Sequence, residues 1–296
     1  MTPTRTVALL GAGLLGRAVA ERLRSVGYDL TVYNRTATKA LSLQALGIFV
    51  VGTPELALSQ ANEVLLFLSD APAIQAVLFA PACAAALRGK TVVQMGTIGV
   101  EESVELHERV AHCGGWYCEA PVLGSVAEAK AGTLLIMAGA TPEQFSRLAP
   151  LFSSLSRDPR LIGPVGKAAA LKLALNQLIA AEISAFAVSL GLVLRSGIAT
   201  DSFMAVLRES ALFAPTFEKK LPRLLKRDYR HPNFSTRHLL KDLELAAKEA
   251  GRLGLETSTL NGLRGVLQRA LVQGLGEVDY SALYDVVNPV KESRDR

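Results

Sequence analysis

Lys172 and Asn176 stand four residues apart near the start of a long apolar stretch from Gly163 to Gly197, GPVGKAAALKLALNQLIAAEISAFAVSLGLVLRSG. The glycine-rich entry and the alanine- and leucine-rich run after it predict one long helix. The spacing then sets both side chains on one face, one turn apart. An ammonium beside an amide has the chemistry to donate a proton to a substrate oxygen. The same residues also fit a plainer structure, an amphipathic core helix whose lysine reaches its charge out to water. The choice depends on what the rest of the chain brings to that face.

The N-terminus brings a nucleotide-binding pattern. Thr6 to Leu10 (TVALL) is a strand-like apolar run that ends in GAGLLG, Gly11 to Gly16, and enters the helix-period segment RAVAERLRSVG. Strand, GxGxxG turn and helix in that order are what a dinucleotide fold needs. Gly11 permits the tight turn, Gly13 lets the backbone approach a pyrophosphate, and Gly16 allows close helix–strand packing, with Leu14 and Leu15 between them. The helix N-terminus adds amide donors and the positive end of its dipole. The next strand, Asp29 to Tyr33, ends in Asn34-Arg35-Thr36 with Lys39 close by. This is near the ~20-residue distance at which such folds read the adenosine ribose. An acidic residue there would bind the 2′-hydroxyl of NAD. A guanidinium and hydroxyls suit a 2′-phosphate instead, so NADP is the expected cofactor in preference to NAD.

The alternation continues. Glu63 to Leu68 is a buried-type strand followed by Ser69-Asp70, and Thr91 to Met95 is another that ends at Gly96-Thr97. Strands alternating with helices predict a parallel, doubly wound sheet with ligands at the carboxyl ends of its strands. Leu68, Ser69 and Thr97 then fall where a nicotinamide ribose would lie. Trp116 to Glu119 begins a further strand and leads into EAPVLGSVAEAKAGTLLIMAGA. In it Pro121 and Gly124 mark an exposed turn whose backbone amides, with Ser125, suit a carboxylate. Thr133 to Met137 is a strand, and Thr141-Pro142 starts a helix that closes the first domain near Ile162. Beyond the long helix only helices are expected: one starts at Thr200-Asp201, Pro215 interrupts the next, and Leu239 to Leu253 is strongly amphipathic, with Lys241 and Asp242 in its first turns. The tail after Asn288 is charged and expected to fray. The reading is thus an α/β chain in three parts: a Rossmann-type domain over 1–162, an interdomain helix over 163–197 and an all-α domain over 198–296.

Composition narrows the classes further. Half of the 296 residues are hydrophobic, 20% are charged and the net charge is +5, which describes a folded globular chain with room for two domains. Cys83, Cys113 and Cys118 are odd in number and lack metal-ligand spacing, so a reducing, cytoplasmic setting without a disulfide framework or metal is expected. The segment 173–194 has nearly the length and apolarity of a membrane span, but Asn176, Gln177 and Glu182 fall inside it, and burial within the protein is the expected reading. Lys219, Lys220, Arg223, Lys226, Arg227 and Arg230 form a basic run without interleaved aromatics, as on a solvated helix face, and nucleic acid is not an expected partner.

Four motifs now stand in order: GAGLLG with YNRT, EAPVLGSVAEAKAGTLLIMAGA, GPVGKAAALKLALNQ, and FSTRHLLKDLELA from Phe234. Together they closely resemble the signatures of the β-hydroxyacid dehydrogenase family, over almost the whole chain. The resemblance implies that Lys172 is the catalytic lysine with Asn176 as its substrate-binding partner. It also implies that Lys241 lies near the nicotinamide and that Phe234 and Asp242 shape the substrate pocket. The implied activity is NADP(H)-dependent interconversion of a small β-hydroxyacid-type alcohol and its carbonyl form, most readily reduction of glyoxylate or succinic semialdehyde. The alternative readings are a 3-hydroxyisobutyrate dehydrogenase or tartronate semialdehyde reductase, an imine reductase, or a non-catalytic cofactor-binding protein of the same fold. A homodimer or homotetramer is implied. Two positions depart from the pattern. Leu123, followed by Gly124-Ser125, stands where the family's loop commonly has a serine that helps hold the substrate carboxylate, and Gly96 stands where a serine usually precedes Thr97.

Overall fold

The computed structural model describes residues 5–290, and the chain divides into two compact units, Met1–Lys172 and Leu173–Arg296. The first unit runs β1 (Thr6–Leu10), α1 (Leu14–Ser25), β2 (Asp29–Tyr33), two short 3-10 turns (Ala37–Lys39 and Leu41–Leu46), β3 (Phe49–Val51), α2 (Pro54–Ser59), β4 (Glu63–Leu66), α3 (Ala71–Leu78), α4 (Pro81–Ala86), β5 (Thr91–Gln94), α5 (Val100–His112), β6 (Trp116–Glu119), β7 (Val122–Leu123), α6 (Val126–Ala131), β8 (Leu135–Gly139), α7 (Pro142–Leu155) and β9 (Arg160–Gly163). Helix α8 (Lys167–Arg195) starts in this unit and continues into the second, which adds α9 (Thr200–Glu209), α10 (Pro215–Lys226), α11 (Thr236–Arg252), α12 (Ser258–Val272) and α13 (Leu283–Val287).

The sheet order is β3-β2-β1-β4-β5-β6-β8-β7, with β9 also paired to β8. The six strands from β3 to β6 are all parallel, in the order of a dinucleotide-binding fold. Such strands are covered on both faces, so they read as continuous apolar runs. In β1, Val7 and Leu9 enter one buried core while Ala8 and Leu10 enter another, as the two-residue period requires. Beyond β6 the direction reverses: β8 runs antiparallel to both β6 and β7.

Several sequence expectations need correction. Strand β4 ends at Leu66 rather than Leu68, β5 ends at Gln94 rather than Met95, and β8 begins at Leu135 rather than Thr133. Just past β4 and β5 the backbone still donates to the neighbouring strands, from Phe67 to the Leu10 carbonyl at 2.9 Å and from Met95 to the Leu66 carbonyl at 3.1 Å. Pro121 is buried rather than on an exposed turn, because the chain continues from it into β7 and pairs with β8. The segment near Ile162 is strand β9, not the end of a helix. Pro215 does not interrupt a helix but occupies the first position of α10, where its missing N–H costs nothing. The frayed-tail expectation falls partly on residues 291–296, which lie outside the described residues.

Helix α8 has 29 residues, about 43 Å at 1.5 Å per residue. By length and mean hydropathy (1.9) it is long and apolar enough to cross a membrane, and 44% of its most apolar window is buried within the protein. Ala180, Ile183, Ala187 and Leu190 recur at helical spacing along it and form the spine of the core of the second unit. Helix α10 carries the first four cations of the basic run, with Arg227 and Arg230 beyond its end, and the expectation of a solvated face fails at Lys220. Lys220 is buried on the same stripe as Phe217 and Leu224, and both carboxylate oxygens of Asp279 accept from its Nζ, at 2.7 and 2.8 Å.

Candidate functional site

The turn after β1 is built for a close ligand. Gly11 has φ +107°, and a Cβ there would lie 2.3 Å from the carbonyl oxygen of Phe67. A Cβ on Gly16 would lie 2.0 Å from the carbonyl oxygen of Gly11. Neither position accepts a side chain without the turn opening. Around Gly13, by contrast, nothing lies within 4 Å of the equivalent position. Helix α1 begins beside it with no side-chain cap and no acidic residue in its first turn. A helix N-terminus with open space in front of it fits the pyrophosphate of a dinucleotide. Leu14 is exposed beside this space, and Leu15 packs against the core.

Asn34 does more than extend the loop after β2. Its Oδ1 accepts from the Ala12 amide at 2.9 Å and its Nδ2 donates to the Thr36 carbonyl at 2.8 Å, so it fastens the glycine turn to the neighbouring loop. Arg35, Thr36 and Lys39 are exposed on that loop. The loops after β4 and β5 meet the same turn. A Cβ on Gly11 would approach Leu68 Cδ2 at 3.2 Å, and one on Gly96 would approach the Leu68 carbonyl oxygen at 2.9 Å. Gly96 is held by Gln94, whose side chain accepts from its amide at 2.9 Å and donates to its carbonyl at 3.1 Å. Ser69 Oγ donates to Asp70 at 2.8 Å, and Asp70 caps α3. Gly11, Leu68 and Gly96 thus converge at the carboxyl ends of β1, β4 and β5, where the strand order reverses.

Next to this crevice is a small cavity lined by Gln94, Gly96, Thr97, Ile98, Ser103, Glu119, Pro121, Ala169 and Lys172. Lys172 is 8% exposed and Glu119 2%. The Oε1 of Glu119 accepts from the backbone amides of Gly166 (2.8 Å), Ala168 (2.8 Å) and Ala169 (3.2 Å). Its Oε2 accepts from Ser103 Oγ at 2.5 Å, and Ser103 Oγ lies 2.9 Å from the Tyr117 hydroxyl. Burial pushes the Glu119 carboxyl above the usual range, and the four donors pull it back toward the anion. Burial also pushes the Tyr117 hydroxyl and the Cys118 thiol far up, so both are neutral. Gln94, Ser103 and Glu119 were not singled out in the sequence. The available signal was a polar residue closing an apolar strand, in TVVQ and in WYCE.

In the loop after β6, Leu123 is half-buried in β7, and Gly124 (φ +127°) leaves no room for a Cβ, which would meet Leu134 at 2.8 Å. Ser125 caps α6, and both its amide (2.7 Å) and its hydroxyl (2.6 Å) donate to Glu128 Oε2. A substrate carboxylate at Ser125 would therefore compete with Glu128 for the same donors.

The second unit holds a separate cluster. Asn176 is 1% exposed, and its Nδ2 donates to Asp242 Oδ2 at 2.6 Å, which leaves Asn176 Oδ1 buried without a hydrogen-bond partner among the described residues. The other oxygen of Asp242 lies 3.0 Å from Lys241 Nζ. Leaving a buried acceptor unpaired is costly, so Asn176 Oδ1 is a natural acceptor for the hydroxyl of a bound molecule. Phe234 packs edge-on against Tyr280, with ring centroids 6.0 Å apart. Along α8 itself, Lys172 and Asn176 keep the one-turn separation expected of a continuous helix.

A Rossmann-type sheet whose glycine turn fits a dinucleotide, with a buried lysine beside the crevice and a helical unit after it, defines a nicotinamide-dependent dehydrogenase. Residues 6–166 match the family model described as the NAD binding domain of 6-phosphogluconate dehydrogenase, and residues 166–287 the one described as NAD-binding of NADP-dependent 3-hydroxyisobutyrate dehydrogenase. The chain is 30% identical to glyoxylate/succinic semialdehyde reductase 1 of Arabidopsis thaliana, over 98% of this chain and 99% of that protein. It is 29% identical to 2-hydroxy-3-oxopropionate reductase of Escherichia coli, over 94% of this chain and 95% of that protein. The solved structure of Mycobacterium tuberculosis 3-hydroxyisobutyrate dehydrogenase with L-serine superposes with a TM-score of 0.86 at 22% identity, over 96% of this chain and 99% of that one. The chain belongs to the β-hydroxyacid dehydrogenase family of NAD(P)-dependent oxidoreductases.

Proposed function

We propose that the protein is an NADPH-dependent reductase of small aldehydes bearing an acid group, with glyoxylate and succinic semialdehyde as the leading candidates. The observation that carries the reading is the buried Lys172, which shares a cavity with Gly96 and Thr97 at the carboxyl end of β5. Gly11–Gly16 would hold the cofactor, with Leu68, Ser69 and Thr97 toward its nicotinamide end, and the chemistry it would supply there is the hydride. Lys172 then donates a proton to the carbonyl oxygen, where negative charge builds as the carbon is reduced. Asn176 Oδ1 accepts a hydrogen bond from the substrate, and Asp242 keeps the amide turned that way. The family resemblance adds Lys241, for the nicotinamide, and Phe234, for the substrate, as the further candidates from the second unit. In the oxidative direction neutral Lys172 takes the proton back.

The preference for the phosphorylated cofactor rests on Arg35, exposed on the loop after β2 in place of an acidic residue. Arg35→Ala is expected to weaken NADPH about 10-fold or more, as loss of a charge-assisted contact implies, and to leave NADH affinity within about twofold. Equal weakening of both cofactors, measured by fluorescence titration, removes the 2′-phosphate assignment.

The substrate class is tested by following NADPH absorbance with glyoxylate, succinic semialdehyde, tartronate semialdehyde and a cyclic imine. Turnover of at least one aldehyde is expected, faster with NADPH than with NADH. Robust imine reduction without turnover of any aldehyde overturns the proposal.

A further inference from the structure

Glu119 is a carboxylate in an unusual place. It closes β6 inside the sheet, four donors converge on it, and three of those are backbone amides at the start of α8. The space for it is reserved: a Cβ on Gly139 would lie 2.3 Å from Glu119 Oε1. The first turn of α8 contains no acidic residue of its own. The positive end of the helix is therefore met by a charge from a strand 47 or more residues earlier in the chain. Lys172 stands one turn beyond Ala169, whose amide touches Glu119, and both ionisable side chains face the same cavity. Among the residues lining that cavity they are the only ionisable ones; Gln94, Ser103 and Thr97 supply neutral polar groups. Tyr117, joined to Glu119 through Ser103, and the adjacent Cys118 are neutral.

A merely structural cap would not need this charge. A buried carboxylate is costly to desolvate, and a glutamine in the same place could accept the same amide donors. The charge adds two things that an amide lacks. Charge-assisted bonds hold the helix start roughly twice as firmly as neutral ones, and an anion lining the same cavity as the lysine favours its ammonium form.

We infer that Glu119 is a positioning residue for Lys172: it pins the start of α8 to the end of β6 and keeps the lysine aimed and protonated for delivery to the substrate oxygen. The inference rests on the proposed role of Lys172 and deepens it.

The test is Glu119→Gln in the full-length enzyme, assayed in the reducing direction across pH. Glutamine keeps the size and one acceptor and removes the charge. Cofactor affinity is expected to stay within about twofold, because the glycine turn is untouched. The kcat is expected to fall about 10–100-fold, the scale of a misaimed catalytic group, with little change in KM. The alkaline limb of the kcat profile, where activity fails as the ammonium is lost, is expected to move to lower pH. A folded variant whose limb stays in place and whose kcat is within twofold of the parent overturns the inference. If Glu119→Gln does not fold, Ser103→Ala, which keeps the charge and releases one tether, is expected to lower kcat at least about threefold; unchanged kcat there overturns it instead. The two readings fail separately. Activity that survives Lys172→Ala removes the proposed function, whereas an inactive Lys172→Ala beside a fully active Glu119→Gln removes only the role of Glu119.

Discussion

Lys172→Ala is expected to lower kcat about 10²–10⁴-fold with NADPH affinity nearly unchanged, the usual weight of a general acid. At about 1.4 kcal/mol per tenfold, that is roughly 3–5.5 kcal/mol of transition-state stabilisation. The rival explanation is that the lysine only fills space. It is 8% exposed, so truncation also opens a void at the start of α8 and lowers stability. Lys172→Met separates the two, since it keeps most of the volume and removes the proton. Methionine is expected to restore thermal stability close to the parent while kcat stays as low as in the alanine variant. Steady-state kinetics and a melting curve on both variants decide it. If Lys172→Met retains a tenth or more of the parental kcat, the lysine is not the proton donor. The expected insensitivity of cofactor affinity follows from position, because the glycine turn after β1 is held by its own contacts, with Asn34 fastening Ala12 and the Phe67 carbonyl backing Gly11.

The parts of this site that were legible in the sequence are those whose physics is local. The glycines of GAGLLG are dictated by atoms a few residues away or on the next strand. The distances a Cβ would make at Gly11 and Gly16 explain why no other residue serves there. Helix α8 was legible because its apolar run is long, and its length alone fixes the offset of Lys172 from Asn176. Strands β3, β7 and β9 were not legible, since they are two to four residues long, and Phe49 in β3 and Leu161 in β9 are exposed, so no alternation marks them. The role of Glu119 was not legible, because the donors that explain it come from Gly166, Ala168 and Ala169, far along the chain. Ser125 has a local partner that its place in the motif did not announce: Glu128, three residues on, accepts from both its amide and its hydroxyl in a helix cap. Lys220 was hidden by its neighbours: in a run of six cations it looked solvated. Its phase with Phe217 and Leu224 was present in the sequence and places it inward.

Asp279→Ala is expected to destabilise the second unit by about 3–5 kcal/mol, the usual cost of removing one partner of a buried ion pair. Asp279 is fully buried, and Lys220 Nζ donates to both of its oxygens while sitting 4.1 Å from the centroid of the Tyr280 ring. The same carboxylate accepts from the amide and hydroxyl of Ser281, at 3.1 and 2.7 Å. Removal therefore strands an ammonium and a hydroxyl at once. It also loosens the start of α11, where the Thr236 amide donates to the Val278 carbonyl at 3.0 Å, and α11 carries Lys241 and Asp242. Burial pushes the Lys220 ammonium below its usual range, and Asp279 opposes that shift most strongly. Without Asp279 the lysine loses its proton more readily, so the deficit should shrink as pH rises and the orphan becomes neutral. Urea unfolding followed by circular dichroism at pH 7 and pH 9 measures both effects. Lys220→Met combined with Asp279→Leu should recover most of the loss, since an apolar pair of similar volume leaves no charge uncompensated. A single Asp279→Ala variant that loses less than about 1 kcal/mol, the scale of an exposed pair, refutes the claim that this buried pair holds the helical unit together.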